Sequence, residues 1–190
     1  MSRELLLRLK LIAYRFSIRP IRVMILKDTK SLKIDGESYT LQKGIEAEIP
    51  LWAAKALEEY GVAGQVESNI TIEDIARVHF AVVSARTPAD LEPLPRSFYL
   101  EAIRYIKELD EKIRREFRAE LLEEKQKAIQ YLLEIVDKRL LLMLQSMRSP
   151  TTLAEISSKL SEEEIVLLQE LRDDIEAWRR LVVPLGMEKS

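Results

Sequence analysis

Few residues in this chain have side chains and spacing suited to chemistry. A single histidine, His79, sits in helical sequence between Val78 and Phe80, and a row of carboxylates follows at Glu116, Glu120, Glu123 and Glu124. Carboxylates so spaced could line a metal site inside a helical bundle, but a di-iron centre of that type takes two Glu-x-x-His motifs from different helices. One histidine does not furnish them. Arg115, Arg118 and Lys125 alternate with the acids, which is the pattern of i,i+4 pairing on a solvated helix face. His79, flanked by apolar neighbours, reads as a packed or hydrogen-bonded residue. There is no cysteine, so disulfides, thiolate zinc sites and cysteine nucleophiles are excluded. The five glycines form neither G-x-G-x-x-G nor G-x-x-x-x-G-K, and no G-x-S-x-G elbow occurs. No catalytic, cofactor-binding or metal-binding residue is expected, and the chain reads as non-enzymatic and free of cofactor.

With 190 residues, 47% apolar and 33% charged, one or two compact domains are expected, with ample material for a core. The formal net charge of −2 implies no global attraction to nucleic acid. Within residues 1–33, however, nine basic residues stand against only Glu4 and Asp28. Arg15, Arg19 and Arg22 form a candidate basic patch for phosphate or an acidic partner. The competing reading is a solvated face whose long stems cover apolar surface, and Tyr14 and Phe16 are the only aromatics nearby. The basic start lacks the uncharged apolar stretch and cleavage site of a signal peptide, and no run approaches 18 apolar residues.

These side chains need elements to carry them. Residues 3–14 fit helix or strand. Ile21, Val23 and Ile25 alternate as in a half-buried strand. Leu32 and Ile34, then Asp35-Gly36, then Tyr39 and Leu41 predict a β-hairpin, because Asp-Gly supplies two positive-φ positions. Lys43-Gly44 predicts another turn, followed by a short strand over Ala47 to Ile49. Pro50 suits the first turn of a helix ending near Gly61, and Val62 to Val66 could return as a strand. Thr71 with Asp74 has capping-box spacing and opens a helix to about Ser84. The proline-rich segment Thr87 to Arg96 is a connector. A long helical stretch from Ser97 to Met147 should break in two, though neither glycine nor proline marks where. Its apolar stripes are Leu100, Ile103, Ile106, Ile113, Phe117 and Leu121, then Ile129, Leu132, Leu133, Val136, Leu140 and Met143. Thr152 with Glu155, and Ser161 with Glu164, start two further helices. The fold class is α+β, with a small β-rich module over residues 1–68 and an all-α helical bundle over 69–190.

The run Leu140, Leu141, Leu142, Met143 and Leu144, with Met147 beyond, is apolar in every direction around a helix. Each such residue left in water forgoes roughly 1.5–3 kcal/mol. One face should therefore point inward and the other toward a neighbouring subunit. Trp52 and Trp178 read as anchors in a core or an interface.

Two segments point to relatives. Glu48-Ile-Pro-Leu-Trp52 runs into an apolar helix, and Leu91-Glu-Pro-Leu-Pro-Arg-Ser-Phe-Tyr-Leu100 opens a long one. Together with the β-then-helical order they resemble the GINS family of replisome scaffold proteins, in the branch that places the β-rich domain first. The likeness spans roughly residues 20–180. It implies that Pro50, Leu51 and Trp52 fix the small module's helix, and that Pro93, Pro95, Phe98 and Tyr99 build the start of the long helix. It further implies an archaeal-type 2:2 heterotetramer with a second GINS subunit of opposite domain order. The implied task is to hold the MCM helicase and a RecJ-like protein together at the replication fork, in the cytoplasm at the nucleoid. Primase is a further candidate partner, direct DNA contact is weak or absent, and no membrane is involved. Two departures from the family pattern stand out: a more basic start and a short Gly61 to Asn69 connection. The rival readings are a small DNA-binding regulator that uses the basic start, and a helical adaptor unrelated to replication.

Overall fold

A computed structural model describes residues 2–64, 66 and 68–183. The chain divides into two compact units, Leu11–Asn69 and Met1–Lys10 together with Ile70–Ser190. The first ten residues thus group with the helices, whereas the expected division put them with the strands. Helix α1 (Arg3–Ser17) begins among them and continues into the smaller unit, and the Arg8 guanidinium donates to Gln169 in the last helix.

The smaller unit is built on strand β1 (Pro20–Met24), which pairs antiparallel with β4 (Glu46–Pro50) in the register Ile21 opposite Ile49 and Val23 opposite Ala47. Between them β2 (Leu32–Ile34) and β3 (Glu37–Tyr39) make the predicted hairpin. Asp35 and Gly36 take φ of 50° and 88°, as a tight hairpin turn demands, and Gly44 at 83° makes the next turn. Helix α2 (Leu51–Glu59) follows β4 directly. Pro50 is its N-cap, with ψ 141°, and lies one position before the expected first turn. The reason is pairing: Pro50 is still the end of β4, opposite Pro20, and the Leu51 N–H donates to the Arg19 carbonyl at 2.9 Å. Gly61, φ 64°, closes α2 in the left-handed conformation that glycine tolerates best. Past it, Ala63 bridges Ile25, but no strand forms over Val62–Val66 among the described residues; Gln65 lies outside them. Val23, Ile25, Ile34, Leu41, Ile49 and Leu57 fill this unit's core.

The larger unit begins with α3 (Ile72–Ser84), whose capping box is complete: Asp74 N–H donates to Thr71 Oγ1, and Thr71 N–H donates to the Asp74 carboxylate. A single 3-10 turn, Pro88–Asp90, punctuates the connector. The long helical stretch breaks at Glu116–Arg118 into α4 (Phe98–Arg115) and α5 (Ala119–Ser146). Lys125 reaches back to Asp110, and Tyr105 donates to Glu124, so the two helices fold onto each other. Helix α6 (Pro150–Ser157) starts earlier than expected, with Ser149 at its N-cap and proline in its first turn, so Thr152 lies inside it. Helix α7 (Glu162–Val182) starts as expected, with a complete capping box at Ser161 and Glu164. His79 stacks on Tyr131 while Ala85 clusters with Leu142, so α3 and α5 run in the same direction. Ile75, Val82, Phe98, Ala102, Ala128 and Ile135 make the core between α3, α4 and α5.

The expected first stripe needs correction. Ile103 is exposed and Phe117, in the α4–α5 link, is 71% exposed. Glu101, Arg104 and Glu108 are buried instead. Their three- and four-residue spacing lets Arg104 bridge both acids at 3.5 and 3.2 Å, which compensates charges that could not be buried singly. No described helix is long and apolar enough to cross a membrane.

Candidate subunit interface

Helix α5 carries the surface of greatest interest. At 1.5 Å per residue it is long enough to present one face to its own bundle and another elsewhere. Ala128, Ile135, Arg139, Leu142, Met143 and Ser146 are the inward set. Leu122, Ile129, Leu133, Val136 and Leu144 are all at least a third exposed, Leu133 reaching 58%. Together with Gln126 and Leu140 these positions step by four and three residues along the helix, the spacing of an interhelical seam. From Leu122 to Leu144 the seam spans about 33 Å. Ile129, Leu133 and Val136 of the expected second stripe thus belong to this outer seam and not to the core, with Leu140 half-buried where the seam meets the bundle.

The Leu140 to Leu144 run is divided by the same geometry. Leu142 is fully buried with Ala85 and Leu91, and Met143 packs with Ile156 and Leu168. Leu140 and Met147 lie half-buried beside that second cluster. Leu141, at 50%, and Leu144 face outward.

Beside the seam runs a shallow groove of about 420 Å³ lined by Gln126, Ile129, Gln130, Leu133, Glu134 and Asp137. Glu134 receives hydrogen bonds from Gln130 at 2.9 Å and pairs with His79 Nε2 at 2.5 Å. These donors, Gln130 first and His79 next, hold its carboxyl below the usual range. Asp137 has no partner of this kind among the described residues.

Under the seam lies a buried polar hub. Arg139, 0% exposed, donates from Nε and Nη2 to the Glu164 carboxylate at 2.6 and 2.8 Å, from Nη1 to the Glu92 carbonyl, and from Nη2 to the Lys159 carbonyl. Burial alone would lower its pKa, but the Glu164 carboxylate outweighs that and raises it. Tyr99 donates to the same carboxylate at 2.7 Å, and burial with that negative charge pushes its hydroxyl well above the ordinary value. Phe98 is fully buried edge-on to Tyr99, at 5.7 Å between centroids. Pro93 and Pro95 are exposed in the connector leading to them. Ser97 takes φ 56° at the N-cap of α4, so the segment turns sharply into the helix. In the small unit Leu51 is buried in the core, whereas Trp52 is 43% exposed on α2.

The remaining sequence candidates are scattered. Arg19 lies over the Phe16 ring, 4.0 Å from its centroid. Arg22 sits on β1 beside Glu48 at 4.0 Å, and Arg15 on α1. Trp178 stands 61% exposed near the end of α7. Glu116 pairs with Arg118 in the link, and no cluster of potential metal ligands occurs among the described residues. Sequence reasoning singled out Leu140 to Leu144 but missed the outer seam upstream, at Leu122 to Val136. Its four-three spacing was visible, yet the same spacing describes a core stripe.

No curated protein matches the chain. The profile of Sld5, the GINS complex protein helical bundle domain, matches residues 68–183, which takes in α3 to α7 and the connector between α3 and α4. That match covers more than half of the sequence, and the described fold places a small β-rich unit ahead of the matched bundle. The chain therefore belongs to the GINS family, whose complex acts in DNA replication.

Proposed function

We propose that this chain is a non-enzymatic scaffold subunit that joins its complex through the outer seam of α5. The reading rests on one observation above all: within a GINS helical bundle, an apolar seam about 33 Å long faces away from its own core. Apolar area of this extent on a helix is covered in the working assembly, because leaving it in water forgoes burial energy and invites aggregation. The partner is a second GINS subunit with the helical domain ahead of the β-rich one, in an archaeal-type 2:2 tetramer. The tetramer holds the MCM helicase and a RecJ-like protein at the replication fork, and primase is a further partner. Several modest contacts in one assembly give high effective concentrations, so the helicase is stimulated by binding alone.

Co-expression with such a subunit tests the interface. The wild-type chain is expected to co-purify as a tetramer in analytical ultracentrifugation. Leu133→Asp and Leu141→Asp are expected to abolish it while leaving the helical circular dichroism spectrum intact. A tetramer of unchanged mass in both variants would remove α5 from the interface. If the isolated chain instead bound duplex DNA tightly, with affinity falling steeply as salt rises, the regulator reading would replace the scaffold one.

A further inference from the structure

We infer that the helix received by the α5 groove carries Lys or Arg beside its apolar seam, so the groove takes a cation-flanked partner helix and not a second copy of α5. This rests on the reading of α5 as a subunit interface and adds the chemistry of the partner.

The inference comes from what lines the groove. Ile129 and Leu133 supply its apolar floor, Gln126 and Gln130 its neutral wall, and Glu134 and Asp137 its charge; no cation is among the lining residues. Glu134 already engages Gln130 and His79, which hold it ionised, and Asp137 has no cationic neighbour within pairing distance among the described residues. Both carboxylates lie one position from a seam residue, Leu133 or Val136, where flanking side chains meet those of a helix packed against the seam. Two α5 helices packed antiparallel, seam to seam, would set this flank of each copy against the same flank of the other and bring Glu134 and Asp137 toward carboxylates as the seam closed off water. Like charges so placed disfavour that pairing. A partner helix with Lys or Arg at its flanks meets the carboxylates with opposite charge and covers the same apolar seam. Partner choice is thus set by the flanks and adhesion by the seam, the division of labour seen in coiled coils.

The test uses the full chain and two fluorescent helical peptides with the same leucine seam, one flanked by lysine and one by glutamate. Anisotropy titration at low salt is expected to show roughly a three- to tenfold preference for the lysine peptide, shrinking as salt is raised. In the double variant Glu134→Gln, Asp137→Asn the preference is expected to vanish while the lysine peptide still binds. Equal binding of the two peptides by the wild-type chain, or preference for the glutamate peptide, overturns the inference and leaves the interface reading standing. Failure of both peptides to bind, or binding that survives Leu133→Asp, overturns the interface reading and this inference with it.

Discussion

Arg139 closes on Glu164 with two hydrogen bonds of 2.6 and 2.8 Å in a position where neither side chain is more than 5% exposed. The pair joins the C-terminal third of α5 to the first turn of α7. Two backbone carbonyls and the Tyr99 hydroxyl complete the cluster, so the connector and the start of α4 are held to the same point. The guanidinium fork serves four acceptor oxygens from three residues, one more than the three donors of a lysine ammonium.

Breaking that pair from one side leaves a buried charge without its counterpart. Arg139→Met and Glu164→Gln are each expected to destabilise the chain by about 3–5 kcal/mol. In urea unfolding, the double variant Arg139→Met, Glu164→Gln should lose less than the two single losses added together. A sum of independent effects would show that the pair is not coupled.

Two adjacent leucines on α5 should behave in opposite ways. Leu142→Ala empties a fully buried site and is expected to cost about 2–5 kcal/mol of stability. Leu141→Ala, at a half-exposed site, should shift stability by about 0.5 kcal/mol or less. Its effect is expected in assembly with the partner subunit, measured by sedimentation, more than in the unfolding midpoint of the chain alone.

Helix starts offer a local measure. Thr71→Ala removes the acceptor for the Asp74 N–H and is expected to cost about 1 kcal/mol. Thr71→Ser keeps the oxygen and should recover most of it. Hydrogen exchange in the first turn of α3 reads the difference directly, and equal protection in both variants would show that the cap is idle.

Acid should loosen the connector. The N–H groups of Thr87 and Arg86, and the Thr87 hydroxyl, donate to the Asp90 carboxylate and hold its pKa below the ordinary value. A carboxyl lowered in the folded state contributes stability above its unfolded pKa of about 3.9 and loses it as pH falls through the folded value. Asp74 and Glu134 are lowered as well and add to the same trend. Thermal midpoints are expected to fall as pH drops from about 5 toward 2. The drop should be shallower in Asp90→Asn, and an identical profile in the variant would take Asp90 out of the account.

Gly36 sits at φ 88° in the hairpin turn. No neighbour stands within 4 Å of where a Cβ would go, so the penalty for Gly36→Ala is conformational alone. About 1 kcal/mol is expected from equilibrium unfolding of the chain.

Local chemistry made much of the fold readable along the chain. Asp35-Gly36 dictates its turn through backbone sterics, Thr71 with Asp74 closes its own capping box, and Gly61 ends α2 because a left-handed residue was needed there. Each decision involves residues within a few positions of one another, so spacing suffices. Pro50 strayed by one position because strand pairing with Pro20, a partner thirty residues away, held it extended. The larger misses have the same origin. Periodicity shows that Ile103 and Phe117 share a stripe with Leu100, but not that the Glu101, Arg104 and Glu108 face would turn inward; mutual charge compensation made that possible. In the same way Leu122, Ile129, Leu133 and Val136 look like core from spacing alone. Only the packing of α3 and α4 against Ala128 and Ile135 decided that they face out, because one helix offers several apolar faces and its neighbours choose which to bury.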